Sequence, residues 1–538
     1  MKIKLIIKIL IISCFYSGTI MFAQQEQTTK SEPLELPNFI IQGKLQLDVA
    51  TGIKQDPSKP KSLDAGLLDS VNSLDKQPSI LINTNEIIPQ SYKQNIANGY
   101  LGANFGRYST GNIYGAFNSN LEGYNVDLNG DFDFGSGHLD KANFTGANLQ
   151  LTSDYIAPLK FFIFGGSRTR TNIEYHNRNY WLYSNPTNPA ERTANHFIAN
   201  INVDGNYAGF KFNTGIGFSG LQFSANEINT ADNNFKAFLK IHRYFDKLLL
   251  AGNIILDLHS IAGASANFIQ FDGEISLLTA DISLRGNAGL QMAGNKSNVD
   301  RGGLLLAGSI EYRMNKLFTL KGNINSGLER KTLTDNFYQN PYLSNFTDFD
   351  YSYNILNLDG IIEFHPDQEL VISAKFNLNH SDRIPVYINT ISSSNGSFDI
   401  SYQTGTIIKS VFEGNYNLTN VDKISANLTA IQSTLSDFTS KSIPYTPEIT
   451  FGSSYTRNWS EKFGTIIGFD YIGQRYVDLD NSKFIDAYTN VKLGLEYNIL
   501  EKLKINANFD NLLNSDIYIW NGYKERGIFA SFGVRYKF

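Results

Sequence analysis

Along most of this chain, hydrophobic and polar residues alternate one for one. The last twelve residues, GIFASFGVRYKF, show it plainly: Ile528, Ala530, Phe532, Val534, Tyr536 and Phe538 share one parity, and Ser531, Gly533, Arg535 and Lys537 the other. A period of two is that of a β-strand with one apolar and one polar face. In YNVDLNGDFDF, Tyr124, Val126, Leu128, Phe132 and Phe134 oppose Asn125, Asp127, Asn129, Asp131 and Asp133. In FIQFDGEISL, Phe271, Ile275 and Leu277 oppose Asp272, Glu274 and Ser276; in LVISAKFNLN, Ile372, Ala374 and Phe376 oppose Ser373, Lys375 and Asn377. In VKLGLEY, Val491, Leu493, Leu495 and Tyr497 oppose Lys492 and Glu496. ANLQLTSDY and FKFNTGIGFS repeat the pattern.

These segments run longer than a typical soluble strand of about 5–6 residues. They reach the ~9–11 residues that a tilted strand needs to cross a bilayer. Short turns are expected near 120–123, 156–158, 206–209, 245–247, 279–281, 314–316, 365–369, 417–422, 458–462 and 499–502. Longer connections are expected at 172–192, 221–232, 329–348, 381–398, 434–446, 476–484 and 514–526. Short turns on one rim and long loops on the other are the asymmetry of an outer-membrane barrel. The reading is therefore all-β: a transmembrane antiparallel up-and-down β-barrel of about 22 strands over 96–538, with short periplasmic turns and long extracellular loops. Asp127, Asp131, Asp133, Asp272, Glu274, Lys375, Lys492 and Glu496 are expected to face a polar lumen, and the apolar parity to face lipid.

Composition agrees. Only 18% of residues are charged, while 13% are aromatic, and no apolar run past the N-terminus is long enough for a spanning helix. Residues 1–23 read as a secretory signal, with Lys2, Lys4 and Lys8 before an apolar stretch and Ala23 before the cut. An uncleaved anchor and a lipoprotein signal ending at Cys14 are the alternatives. Cys14 is the sole cysteine, so a mature chain would lack disulfides and thiol ligands. The formal charge of −5 gives no support to nucleic-acid binding. Residues 24–95 are polar and proline-bearing without sustained alternation, and are read as a periplasmic arm whose Leu36–Val49 piece could be extended.

The C-terminal run LKINANFDNLLNSDIYIWNGYKERGIFASFGVRYKF resembles the end of a TonB-dependent receptor barrel. Asn511-Leu512 follows the penultimate strand, an aromatic loop and a glycine come next, and the last strand ends in Tyr-x-Phe. The opening GYLGANFGRYSTGNIYGAFN at 99–118 fits the same family, and the resemblance covers roughly 97–538. It implies that Tyr536 and Phe538 form the terminus read by the barrel-assembly machinery. The departure lies upstream: the family carries a globular plug before the barrel, and 24–95 is too short for it. Asn38-Phe39-Ile40-Ile41 is the nearest candidate for a TonB-contacting box. The chain thus resembles a plug-less relative, with TonB dependence left open.

Other chemistry is thin. Gly215-x-Gly217-x-x-Gly220 matches a dinucleotide fingerprint in form, but it lies inside a strand pattern with no helix after it. The seven histidines are scattered, without metal-binding spacing, and His242 shares a face with Lys240. No catalytic residue, metal or cofactor is expected. Tyr175, Tyr180, Trp181 and Tyr183, and Phe337, Tyr338, Tyr342 and Phe346, are expected in loops, where they could stack on a ligand or pack among themselves. The leading expectation is a transporter or channel that moves or binds a substrate through a polar lumen, non-enzymatic and without a full plug. The alternative is a non-transporting scaffold or surface-binding barrel. Lipid, the assembly machinery and a surface lipoprotein or separate plug-bearing protein are the expected partners.

Overall fold

The computed structural model describes residues 98–538 except 122–123, 162–164, 186, 226, 295–299, 347, 390–395 and 439–440. The segments expected to be a signal peptide (1–23) and an arm (24–95), with the Asn38–Ile41 candidate, lie outside the described residues. The barrel strands are β1 (Asn98–Gly106), β2 (Thr110–Leu121), β3 (Tyr124–Gly135), β4 (Phe144–Ile156), β5 (Arg168–Leu182), β6 (Ala190–Tyr207), β7 (Phe210–Ala225), β8 (Ile228–Phe245), β9 (Leu248–Ile261), β10 (Phe268–Leu278) and β11 (Ile282–Gly294). They continue as β12 (Asp300–Arg313), β13 (Phe318–Leu328), β14 (Tyr353–Phe364), β15 (Leu370–Ile388), β16 (Asp399–Asn417), β17 (Asp422–Leu435), β18 (Ile449–Asn458), β19 (Phe463–Ile472), β20 (Tyr488–Leu500), β21 (Leu503–Asp510) and β22 (Phe529–Lys537).

Each strand pairs antiparallel with the next, and β1 pairs with β22 from Tyr100↔Lys537 to Gly106↔Ser531, so the 22 strands close. Closure reaches the last residue: Phe538 donates its backbone N–H to the Gly99 carbonyl at 2.9 Å. A side chain at Gly99 would collide with the Phe538 ring, so the ring lies over bare backbone there.

The two rims differ. One carries the turns 208–209, 246–247, 279–281, 314–317, 365–369, 418–421, 459–462 and 501–502, and both Asn98 and Phe538 lie on it. Its longest connection, 157–167, exceeds the tight turn expected there. The other rim carries 329–352, 436–448, 473–487 and 511–528. The 329–352 connection contains a short helix of about two turns, α1 (Leu333–Gln339), capped by a reciprocal Thr332–Asp335 box.

Outward residues such as Leu101, Phe105, Leu128, Phe132, Phe271, Leu304 and Phe532 are large, apolar and exposed around the whole girth. A band of this extent is incompatible with water and is the face a β-barrel presents to lipid. No helix among the described residues is long and apolar enough to cross a membrane. Several strands exceed the ~9–11 residues a crossing needs: β6 and β8 have 18 residues, and β15 and β16 have 19. Their surplus stands beyond the bilayer on the long-loop side. It corrects three sequence expectations. The 221–232 connection is nearly all strand on either side of Glu227, 172–182 belongs to β5, and β15 runs on to Ile388.

Candidate functional site

Within the bilayer zone the inner face is a lattice of carboxamides and paired charges. Asp127 accepts from Asn118 and from Asn125 Nδ2 (3.2 Å), and Asp131 from Asn148 Nδ2 (3.1 Å); Asp133 shares their face on β3. Asp272 accepts from Gln270 (2.6 Å), Asn253 (3.0 Å) and Asn287 (3.0 Å). Glu274 lies between Lys240 Nζ and Arg285 Nε, each at 3.1 Å. Lys375 pairs with Glu413 at 2.8 Å, Lys492 with Asp470 at 2.7 Å, and Glu496 with Lys504 at 2.7 Å. A separate ladder joins Asn325, Asn354, Asn357, Asn377 and Asn379 with Asp359 across β13–β15. Charges that are partly withdrawn from water are tolerated here because each has a partner or several amide donors.

Toward the long-loop rim the two faces exchange character. On β5 the inward series Asn172, Glu174, His176 gives way to Tyr180 and Leu182, while the outward series Ile173, Tyr175 gives way to Asn177 and Asn179. On β7, outward Ile216 and Phe218 are followed by outward Gln222, and inward Asn213 by Leu221, Phe223 and Ala225. Above the bilayer the outside meets water, and the inside meets protein.

That protein is the barrel's own loops. The 329–352 connection folds into the mouth: Phe337 stacks on Phe223 (4.9 Å between ring centres) and Tyr342 on Tyr523 of the last loop (3.6 Å). Tyr523 also meets Tyr183 (5.0 Å), and Trp520 meets Tyr387, Phe398 and Tyr445. Elements from the β3–β4 connection to the last loop share one buried cluster, with Leu333, Leu343, Phe349 and Phe398 fully covered. Polar latches fix the loop to the β6–β9 wall. Arg192, itself fully buried, donates to Pro341 O (2.9 Å) and Asn345 Oδ1 (3.0 Å), and Arg330 pairs with Asp257 at 2.9 Å. Asp232 bonds His259 and also accepts from Thr334 N (2.7 Å) and Oγ1 (2.6 Å). The mouth is capped by a small hydrophobic core.

This places the aromatic residues expected in loops. Tyr175, Tyr180 and Trp181 lie on β5, not in a loop, because β5 projects past the bilayer. Tyr175 faces outward and donates to Asn195 Oδ1 (3.1 Å), Tyr180 points inward and donates to Pro341 O (2.5 Å), and Trp181 lies under Lys141 (4.0 Å). Tyr183, Phe337 and Tyr342 are in the buried cap, Tyr338 is on α1 with its hydroxyl 2.6 Å from His196 Nδ1, and Phe346 is exposed. Phe349, Tyr351, Tyr387, Phe398, Tyr445, Trp520 and Tyr523 complete the cluster and were missed from sequence. The phase flip of hydrophobic parity within β5 and β7 was the available signal.

The capped mouth also contains Ser219 Oγ at 2.8 Å from His196 Nε2. The other nitrogen meets the Tyr338 hydroxyl and not a carboxylate, so the group that would orient and charge-balance a catalytic imidazole is missing from this pair. Among the described residues no cluster of His, Cys, Asp and Glu stands at metal-holding geometry. Lys240 and His242 share the inner face of β8.

No family model matches the chain, and no curated protein matches it. Solved structures do. The FrpB iron transporter from Neisseria meningitidis (F3-3 variant) superposes with a TM-score of 0.65 at 10% identity, over 83% of this chain and 82% of that one. The copper transporter OprC gives 0.63 at 11%, over 84% and 81%, and the siderophore receptor PirA from Acinetobacter baumannii 0.62 at 10%, over 83% and 81%. These neighbours are TonB-dependent receptors with 22-strand barrels. The fold is that of the TonB-dependent receptor barrel. At such identities the likeness is one of architecture, and function has to be argued from the site.

A closed barrel of 22 strands with an apolar outer band and short turns along one rim is an outer-membrane structure. The short-turn rim then faces the periplasm, and the capped mouth opens outside. The Asn-Leu motif of this fold also acquires a physical reason. Asn511 has a left-handed backbone (φ 49°) and is buried. Its amide donates to Ser515 O (2.9 Å) and Arg526 O (3.2 Å), and its Oδ1 accepts from Ser515 N (2.8 Å), so one side chain ties both ends of the last loop together.

Proposed function

We propose that the protein binds or moves a polar solute through the carboxamide-lined lumen, with the aromatic loop cap acting as the outer gate and without a full plug domain of its own. The observation that carries this reading is the exchange of faces along β5 and β7: the wall is wet through the bilayer and becomes apolar only where the loops close over it. A barrel of about 22 strands is wide enough to need closure, and the cap supplies it on the outer side. On the periplasmic side, residues 24–95 or a separate plug-bearing protein supply the rest, and energy coupling through TonB would act there. The wall favours solutes rich in hydroxyl or amide groups, because its Asn, Gln and Asp side chains offer donors and acceptors in rows, while most of its cations are already paired.

A second reading, a non-transporting scaffold that presents its loops to a surface lipoprotein or other partner, draws support from the solidity of the cap. Uptake of a small labelled sugar into proteoliposomes separates them. The wild-type barrel is expected to be tight, and protein lacking both 332–346 and 24–95 to be permeable. A barrel that stays impermeable with both segments removed has no passage, and the scaffold reading would stand.

A further inference from the structure

A small cavity lies at the seam where the barrel closes, apart from the lumen network. Tyr108 and Thr110 bound it from the β1–β2 turn, His138 and Phe144 from the β3–β4 connection, and Arg526 from the last loop. Its volume is about 10 Å³, room for a single water-sized body. Arg526 is only 6% exposed, and its guanidinium carbon lies 3.3 Å from the centre of the Phe529 ring. Its Nε and Nη1 have no hydrogen-bond partner, and neither does His138 Nε2.

A buried guanidinium with two unmet N–H donors is strongly unfavourable unless a negative charge accompanies it. Burial pushes Arg526 down only to about 10, so it stays charged at neutral pH. Its sequence neighbour does not neutralise it, because burial pushes the Glu525 carboxyl up to about 8, and the Asp510 carboxylate, whose charge offsets part of the burial, makes no hydrogen bond to Nε or Nη1. His138 is held neutral, pushed down to about 3 by burial and by the charges of Arg526 and Lys524, so one ring nitrogen carries a proton to donate. The His138 ring stands edge-on to Tyr108 at 5.7 Å, which fixes its plane beside the cavity.

We propose that this cavity binds one monatomic anion, chloride in a saline medium, held by Arg526 Nε–H and Nη1–H and by His138 Nε2–H. Oxyanions such as sulfate are too large for the space. The bound ion bridges the β3–β4 connection to the last loop beside the β1–β22 seam, so it clips the loop border of the closing strands.

Hydrogen exchange of 136–143 and 515–528 in the whole protein, reconstituted in bilayers, tests this with chloride titrated against gluconate at constant ionic strength. Opening should fall by the factor 1 + [chloride]/Kd, about tenfold at roughly nine times Kd. Bromide should replace chloride, sulfate should not, and Arg526→Gln should abolish the dependence. Equal exchange in chloride and gluconate would mean that water fills the cavity and would overturn the proposal. So would a chloride effect that survives in Arg526→Gln, since that is general screening. If Arg526→Gln fails to fold, bromide-soaked crystals of the wild-type protein decide: an anomalous peak between Arg526 and His138 supports the site, and its absence at saturating bromide refutes it.

Discussion

Replacing Leu128 by Arg, with Asp131→Arg as its control, tests the assignment of the two barrel faces on a single strand. Leu128 is exposed on the outer side of β3, opposite Phe117 of β2 and Leu151 of β4. It lies four residues above Tyr124, where β3 leaves its periplasmic turn. At ~3.3 Å per residue and a tilt of ~40°, that is about 10 Å into an apolar band ~25 Å tall, close to the midplane. An arginine there costs about 2–4 kcal/mol, roughly a 30- to 700-fold loss in the folded-to-unfolded ratio at 1.4 kcal/mol per tenfold. Asp131 faces the lumen, where Arg can reach water, and its replacement removes one amide hydrogen bond from Asn148, a cost of about 1 kcal/mol. Urea titration of the two proteins in bilayers, followed by electrophoretic mobility without heating, gives both values. Equal stability, or a greater loss for Asp131→Arg, would refute the facing assignment.

Removal of Tyr536–Phe538 deletes the Phe538–Gly99 backbone bond and the last rungs against β1. The truncated protein should accumulate in the periplasm, and normal surface expression would count against closure by this strand. For Glu525, half-buried in the last loop, the folded pKa of about 8 lies above the ordinary carboxylate value of 4.5. Its stabilisation is therefore complete below about 4.5 and lost as pH rises through 8. Exchange protection of 515–528 should fall over that window in wild type and stay flat in Glu525→Gln; a wild-type profile independent of pH would rule the effect out. Planar-bilayer recordings should show larger, steadier pores when 24–95 is removed if that arm fills part of the lumen, whereas unchanged conductance would exclude that role.

The barrel was legible because lipid outside and water inside impose a strict period of two, as in β3, β10, β20 and β22. Eight of the ten expected short turns were legible because each breaks that period with Gly, Asn, Asp or Pro within a few residues. The cap was not. Its residues lie where strands leave the bilayer, so the outward position stops demanding apolar side chains just as the inward one begins to. Around Asn177–Leu182 and Gly220–Ala225 the alternation changes phase, which from sequence looks like a break into loop. On β15 the register also slips between Ser381 and Ile384, with Arg383 at φ 58°, and this bulge returns Val386 and Tyr387 to buried positions. Contacts such as Tyr342–Tyr523 join loops 181 residues apart in the chain, and no local pattern encodes which loops meet across a mouth.

The central claim is that a wet lumen is sealed from the outside by the loop cap, and thiol labelling of intact cells addresses it most directly. The chain has one cysteine, Cys14, in the segment read as the leader, so a cysteine placed in the barrel would be the mature protein's only target. Asp131→Cys puts it on the lumen wall, and Gln222→Cys on the exposed outer face of the projecting β7. A bulky membrane-impermeant maleimide added outside should label Gln222→Cys quickly and Asp131→Cys hardly at all, and removal of 332–346 should bring the two rates together. Labelling of Asp131→Cys as fast as Gln222→Cys with the cap intact would contradict the account.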